Sequence, residues 1–211
     1  MSRILFTNVR IIDCTGALPF DGEVLVEGDR ITLVAKGEER LLRDNAEVID
    51  GGGATLMPGL IESHAHLSID NAADLVQIGM VPPEETTLIA VRNARLDLDC
   101  GITSCISAAA AKPRVDVVIR NAINQGEIPG PRLLAASPWL TVTGGLGDMR
   151  TLHNPHVTSM AITVDGPEGF RRVTREMIRE GVDIIKLVIS GDTFVPHAPS
   201  HTTVMSEAEV A

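Results

Sequence analysis

The chain has 211 residues, of which 44% are hydrophobic, 22% charged and only 2% aromatic, so its core must be built from aliphatic side chains. Its 28 acidic and 18 basic residues give a net charge of −10, which argues against nucleic-acid or anionic-membrane partners and favours a small molecule. Three cysteines with neither zinc nor redox spacing, and no apolar run of signal-peptide or membrane-spanning length, predict a cytoplasmic protein.

The first 57 residues predict a small β unit with few helical signals. Gly28 lies between two β-rich segments and predicts a hairpin, because glycine readily adopts a positive φ. The predicted strands of this unit are residues 4–6, 9–12, 23–26, 31–34 and 47–49.

The pattern changes at Pro58, and from there short apolar runs alternate with helical stretches. The predicted strands are 60–64, 102–108, 132–140 and 182–189, and the predicted helices are 84–100, 116–125 and 167–180. Such alternation predicts a parallel sheet covered by helices. An open doubly wound sheet and a (β/α)8 barrel both fit this pattern.

The helical segments carry local signals of their own. The positions that share an apolar face are Leu88, Val91, Ala94 and Leu98 in the first helix, and Phe170, Val173 and Met177 in the third. Asp165 is predicted to cap the third helix. Ser206 and Glu209 have the spacing of a capping box, which predicts a further helix that begins close to Ala211.

His64 and His66 lie two residues apart at the carboxyl end of the first predicted parallel strand. Side chains at positions i and i+2 of a strand point to the same side, and sites of α/β proteins lie at this end of the strands. Neutral imidazole is a common ligand of divalent metals, so the pair is a candidate metal site. A His-x-His pair can also arise on a strand by chance.

The segment around these histidines, Met57-Pro-Gly-Leu-Ile-Glu-Ser-His-Ala-His-Leu67, resembles the opening signature of the amidohydrolase superfamily. The subgroup that it resembles most is the imidazolonepropionase-like and prolidase-like one, and the resemblance spans essentially the whole chain. It implies that residues 1–57 are the N-terminal part of a β-sandwich. It also implies that residues 58–211 are the N-terminal half of a (β/α)8 TIM barrel, truncated after about four βα units.

The resemblance further implies a metal centre with one or two divalent ions, zinc first and cobalt, manganese or iron as alternatives. His64 and His66 would bind the more buried ion. Lys186, in the fourth parallel strand, would be carboxylated by CO2 and act as a catalytic ligand that bridges two ions. An ammonium in an apolar strand must otherwise reach solvent or find a partner, so the alternative interpretations are a Lys whose amine extends past the strand end and a Lys paired with a carboxylate.

The run from Thr143 to Asp148 resembles the loop that follows the third strand in this subgroup, where a Gly-Gly-His-Gly sequence lies near the site. Gly144, Gly145 and Leu146 are therefore candidate substrate-binding residues, and Leu146 occupies the position of the histidine. His197 and His201 are expected in the loop after the fourth strand, where substrate contact is left open.

The resemblance implies an enzyme that hydrolyses amide-like C–N bonds through a metal-bound hydroxide, in a chain that forms homo-oligomers when complete. Its substrate would be a dipeptide, an N-acyl amino acid, a cyclic amide, a urea or a carbamate. Two further His ligands and a catalytic Asp of the family lie beyond the fourth strand and have no counterpart here, so residues 1–211 alone are expected to be inactive. The alternatives are a non-catalytic truncated half-barrel that binds a partner or complementary chain, and an open α/β binding domain without metal.

Overall fold

The computed structural model describes residues 2–71, 74–193 and 195–211. Contacts within the chain divide it into two compact units, Met1–Gly59 and Leu60–Ala211. The sequence predicts a boundary after residue 57, and the observed division lies two residues later.

The first unit is a five-stranded sheet. Its strands are β1 (Arg3–Ile11), β2 (Phe20–Glu27), β3 (Arg30–Lys36), β4 (Glu47–Asp50) and β5 (Thr55–Leu56). They are ordered β3-β2-β1-β4, and β5 pairs with the end of β1. The predicted hairpin is confirmed, with Gly28 at φ 63° between β2 and β3. The two strands predicted at the N-terminus are one strand, because a bulge between Phe6 and Val9 keeps β1 paired with β2.

The second unit alternates strands and helices as predicted. Its elements are β6 (Leu60–Ala65), α1 (Leu75–Met80), α2 (Pro83–Asp99), β7 (Ile102–Ser107), α3 (Val115–Asn124), β8 (Arg132–Leu134), β9 (Ala136–Thr141), β10 (Ala161–Thr163), α4 (Pro167–Glu180), β11 (Ile184–Leu187) and α5 (Glu207–Val210). They form two parallel sheets, ordered β6-β7-β8 and β10-β9-β11. The predicted α/β class with parallel strands is therefore confirmed.

The third predicted strand is interrupted at Ala135, which separates β8 from β9. The amide of Ala135 donates to the carboxylate of Asp183 at 2.8 Å, and its carbonyl accepts from the amide of Asp183 at 2.7 Å. Because β8 pairs with β7 and β9 pairs with β11, this one length of chain connects the two parallel sheets.

Helix α2 packs mainly through small side chains, and of its predicted apolar face Ala94 is buried and Val91 packs partly buried against the same cluster. Its buried residues are Thr86, Ala90 and Ala94, whereas Leu88 is 71% exposed. The prediction for Ala94 is confirmed and that for Leu88 is wrong. The physical reason is close approach: Ala90 and Ala94 join one cluster with Ala65 and Cys105 of the strands, which leaves little room for a leucine.

Helix α4 buries the three predicted residues, Phe170, Val173 and Met177. Its predicted cap is wrong, since Gly166 occupies the N-cap and makes no side-chain cap. The carboxylate of Asp165 instead accepts hydrogen bonds from the amide and hydroxyl of Thr143, at 2.9 and 2.6 Å. Asp165 therefore connects the loop after β9 to the start of α4.

The capping box at Ser206 and Glu209 is confirmed, and the amide of Gly166 donates to the same glutamate at 2.9 Å. The sequence analysis did not predict the short elements α1, β5 and β10, which lack a repeating apolar pattern. Within the described ranges, every helix is too short or too polar to cross a membrane.

Candidate metal site

The local structure of β6 directs both candidate histidines to one side. Ala65 and Leu67 pack into the cluster that contains α2 and α3, so the residues between and before them point away from these helices. The register of β6 against β7 shifts between Glu62 and Ala65, and the Glu62 carboxylate accepts a hydrogen bond from the amide of His64 at 2.8 Å. This register shift and this hydrogen bond set the direction of the strand end that carries His64.

The two imidazoles lie close together, with ring centroids 5.1 Å apart and ring planes at 74°. His64 is exposed and His66 is half-buried. The Nδ1 atom of His66 lies 3.3 Å from the carbonyl oxygen of Ala109. A carbonyl can only accept, so this contact is a hydrogen bond when Nδ1 carries the proton, and the lone pair is then on Nε2, available to a metal ion.

The surroundings of His66 favour its neutral form. Burial is the largest cause and lowers the pKa of His66 below its ordinary 6.5, and the charges of His64 and Lys186 lower the pKa further. The hydrogen bond to Ala109 opposes this shift. Because only neutral imidazole binds a metal, the lowered pKa keeps His66 competent as a ligand below neutral pH.

Lys186 lies in β11, and its side chain is half-buried. It pairs in register with Trp139 of β9, and its amide donates to the hydroxyl of Ser137 at 3.0 Å. The charge of Lys186 is the smallest of the causes that lower the pKa of His66.

Across the described ranges, no group of three His, Cys, Asp or Glu side chains is arranged to hold a metal ion. The candidate donors are therefore two imidazoles and one amine. Imidazole nitrogens suit zinc and related ions, and a carbamate on Lys186 would add an anionic oxygen donor. These three side chains could supply some of the donor atoms that a divalent metal site needs.

The glycine-rich loop after β9 divides into exposed and buried positions. Gly144 lines an open pocket together with Asp148, Arg150 and His197, among others. Gly145 is buried, and a Cβ atom there would lie 2.4 Å from the hydroxyl of Thr141, so close packing explains this glycine.

Leu146 is 7% exposed and packs with Val188, Val195 and Ala198. The structure therefore places its side chain in an apolar cluster and not among the residues that line the pocket. Gly144 remains the candidate of this loop for substrate contact.

Asp148 holds the exposed part of this loop. Its carboxylate accepts hydrogen bonds from the amide of Gly144 at 3.0 Å and from Nε of Arg150 at 2.7 Å. Burial by itself raises the pKa of Asp148, but the bonds from Arg150 and Gly144 outweigh burial and leave the pKa below its usual value. The sequence analysis missed this contact because it depends on the turn between residues 144 and 150.

Comparison with known proteins identifies the family of the chain. Residues 55–209 match the amidohydrolase family. The chain belongs to the amidohydrolase family. This confirms the resemblance predicted from residues 57–67.

Two curated relatives match shorter segments of this amidohydrolase chain. A dihydroorotase of Wolbachia sp. subsp. Drosophila simulans is 45% identical over 65 residues, which are 30% of this chain and 14% of the relative. An imidazolonepropionase of Alkaliphilus metalliredigens is 46% identical over 50 residues, which are 22% of this chain and 12% of the relative.

Similarity in structure extends over nearly the whole chain. The crystal structure of a prolidase complexed with N-methylphosphonate-L-proline aligns with a TM-score of 0.83 and 29% identity, and covers 99% of this chain and 52% of its own. The chain therefore spans about half the length of this solved structure and a smaller share of the curated relatives.

Proposed function

We propose that this chain contributes His64, His66 and Lys186 to the divalent metal centre of an enzyme that hydrolyses amide-like C–N bonds. The observation that carries the proposal is the pair of imidazoles at the end of β6, whose ring centroids lie 5.1 Å apart. Membership of the amidohydrolase family supports the reaction class.

We also propose that the chain forms parts of a (β/α)8 barrel and of a β-sandwich. The strands β6, β7, β8–β9 and β11 follow one another with helices between them, as the first four βα units of a (β/α)8 barrel would. The mixed sheet of residues 1–57 would be part of a β-sandwich. The alignment of 99% of the chain with a prolidase structure supports both assignments.

Each residue would have a distinct role. His66 would bind the ion through Nε2, in an orientation held by the Ala109 carbonyl, and His64 would bind beside it. Lys186 would provide an anionic oxygen donor, as the carbamate that forms when its neutral amine adds to CO2 and releases a proton. A bound divalent ion, zinc first and cobalt, manganese or iron as alternatives, supplies Lewis-acid polarisation of a carbonyl and activates water for attack.

The substrate would be a small molecule with an amide-like bond: a dipeptide, an N-acyl amino acid, a cyclic amide, a urea or a carbamate. The prolidase and imidazolonepropionase relatives act in this chemical range by name. We expect residues 1–211 by themselves to bind metal weakly and to show no turnover, because the three proposed donors leave a metal centre incomplete.

A second candidate function is assembly with a partner or complementary chain. In the described residues, β6 pairs with β7 alone and is an edge of its sheet. Its side chains Leu60 and Ile61 are 49% and 70% exposed, and apolar edge strands are sites where other chains pair. A concentration-dependent mass without bound metal would favour this function.

Metal analysis tests the first proposal. Residues 1–211 are titrated with Zn²⁺ and with Co²⁺, and bound metal is measured at equilibrium with the free ions. We expect binding that is lost in a His64→Ala, His66→Ala double variant and kept in a His153→Ala, His156→Ala double variant, whose imidazoles are exposed in the loop after β9. Equal binding by both double variants would show that the ions bind elsewhere and would refute the proposed centre.

The proposed carbamate has its own test. Incubation with ¹³C-bicarbonate and metal should produce a carbamate carbon signal in the NMR spectrum that is absent from a Lys186→Met variant. The control is Lys36→Met, which removes a lysine of the first unit whose Nζ lies over the Phe20 ring. A signal that Lys186→Met leaves unchanged would rule out the proposed role of this lysine.

A further inference from the structure

A buried run of four alanines, Ala108–Ala111, connects β7 to the segment before α3. These residues are at most 6% exposed, and Ala111 packs with Ile78 and Met160. The main chain of the run also makes a set of hydrogen bonds.

Each of the four alanines bonds to a different neighbour. The amide of Ala108 donates to the carbonyl of Ala65 at 2.8 Å, and the amide of Ala110 donates to that of Ser137 at 3.1 Å. The amide of Ala111 donates to the hydroxyl of Ser68 at 2.9 Å. The carbonyl of Ala109 accepts from His66. The run therefore joins the end of β6 to the start of β9.

Asp116 lies beneath this run and has no role in the proposed function. It is 0% exposed and occupies the first turn of α3. The hydroxyl of Ser107, the last residue of β7, donates to its Oδ2 atom. Its Oδ1 atom is buried and makes no hydrogen bond with the residues that the structure describes.

The surroundings of Asp116 extend to both ends of the alanine run. Burial raises the pKa of Asp116, whereas the neighbouring hydroxyls of Ser107 and Ser68 and the amide of Ala136 lower it. A buried carboxyl is costly without partners, and a helix N-terminus partly offsets this cost. Asp116 thus contacts the residue that precedes the run, Ser107, and lies beside the hydroxyl that holds its last amide.

We infer that Asp116 is a positioning residue of the candidate metal site, an inference that rests on the proposed function. By holding Ser107, the residue that precedes the run, Asp116 fixes the alanine run in the place where the Ala109 carbonyl meets Nδ1 of His66. This selects the tautomer of His66 that leaves Nε2 free for a metal ion. Asp116 itself touches neither the ion nor the substrate.

The experiment compares residues 1–211 with Asp116→Asn and with a matched control, Glu23→Gln. Glu23 is also buried, at 3% exposure, and accepts hydrogen bonds from Leu41 and Arg43 in the first unit. The readouts are the tautomer of His66, from side-chain nitrogen shifts in metal-free protein above its pKa, and the affinity for Zn²⁺.

We expect a single Nδ1–H tautomer in the wild type and in Glu23→Gln. In Asp116→Asn we expect a mixture of tautomers and an affinity for Zn²⁺ lower by about 10-fold or more, the effect typical of losing the hydrogen-bonded support of a metal ligand. If Asp116→Asn does not fold, Ser107→Ala removes the hydroxyl that donates to Asp116, and we expect a tautomer mixture and a smaller loss of affinity for Zn²⁺.

The outcomes separate this inference from the proposed function. A wild type that binds no metal refutes the proposed function, while the tautomer measurement still decides the role of Asp116. A single unchanged tautomer in Asp116→Asn, or in Ser107→Ala where Asp116→Asn does not fold, would overturn the inference, as would a mixed tautomer in the wild type.

Discussion

Two regions of the second unit near the candidate site are held in place by different kinds of contact. At the end of β6 and β7, His66 meets the Ala109 carbonyl and the Ala111 amide meets Ser68, each pair 43 residues apart in sequence. In the loop after β9, the buried Leu146 also packs with distant residues, but the exposed Gly144 and Arg150 are held locally by the carboxylate of Asp148. The fold therefore holds His66 through distant partners and the exposed part of the loop through a local one.

The largest expected effect is on metal binding by His66, the histidine that a distant carbonyl holds in place. We expect His66→Ala to weaken Zn²⁺ binding more than about 100-fold, beyond the about 10–100-fold typical of losing only an outer partner. His64→Ala should cost less, because His64 is exposed and lacks a described ring hydrogen bond comparable with that of His66. Isothermal titration of both variants checks the order; a larger loss for His64→Ala would reverse our assignment of the better-held ligand.

The buried region should also dominate stability. Ile119 of α3 is 1% exposed and packs in the cluster with Ala90 and Cys105. We expect Ile119→Ala to lower the free energy of unfolding by about 2–5 kcal/mol. Denaturant unfolding measures this change. Leu152, in the loop after β9 and fully exposed, is the matched control, and Leu152→Ala should change the free energy by less than about 0.5 kcal/mol.

The stability of the loop after β9 should depend on the carboxylate of Asp148. Asp148→Asn removes the charged acceptor of Arg150 and weakens the bond from Gly144, with an expected cost of about 1–3 kcal/mol. Limited proteolysis should then cut faster between residues 142 and 160, while the affinity for Zn²⁺ stays at the wild-type value. A matching loss of metal affinity would show that this loop and the metal ligands are not separate.

The smallest expected effect is on pH dependence. The pKa of His66 is lowered in the folded state, so between that pKa and the ordinary 6.5 the unfolded chain binds more protons than the folded one. The free energy of unfolding of metal-free protein should therefore rise with pH across this window below 6.5. A His66→Gln variant should show a shallower rise than the wild type, and an identical slope would contradict the burial of this imidazole.

Several features followed from local sequence. The strand and helix alternation, the Gly28 hairpin, the buried face of α4 and the capping box at Ser206 are set by periodicity and by contacts within a few residues. The common side of His64 and His66 follows from the two-residue repeat of an extended chain. The resemblance around them indicated the family, which the match over residues 55–209 confirms.

Only the tertiary structure decided the rest, because those features depend on partners distant in sequence. Asp183 interrupts the third strand at Ala135, and close packing against β6 and β7 turned α2 onto its small residues. The carbonyl that orients His66 comes from the main chain of Ala109, 43 residues away, and a main-chain acceptor has no signature in a side-chain pattern. The sequence by itself therefore determined which residues could bind a metal, and the packing of distant segments determined how one of them is held.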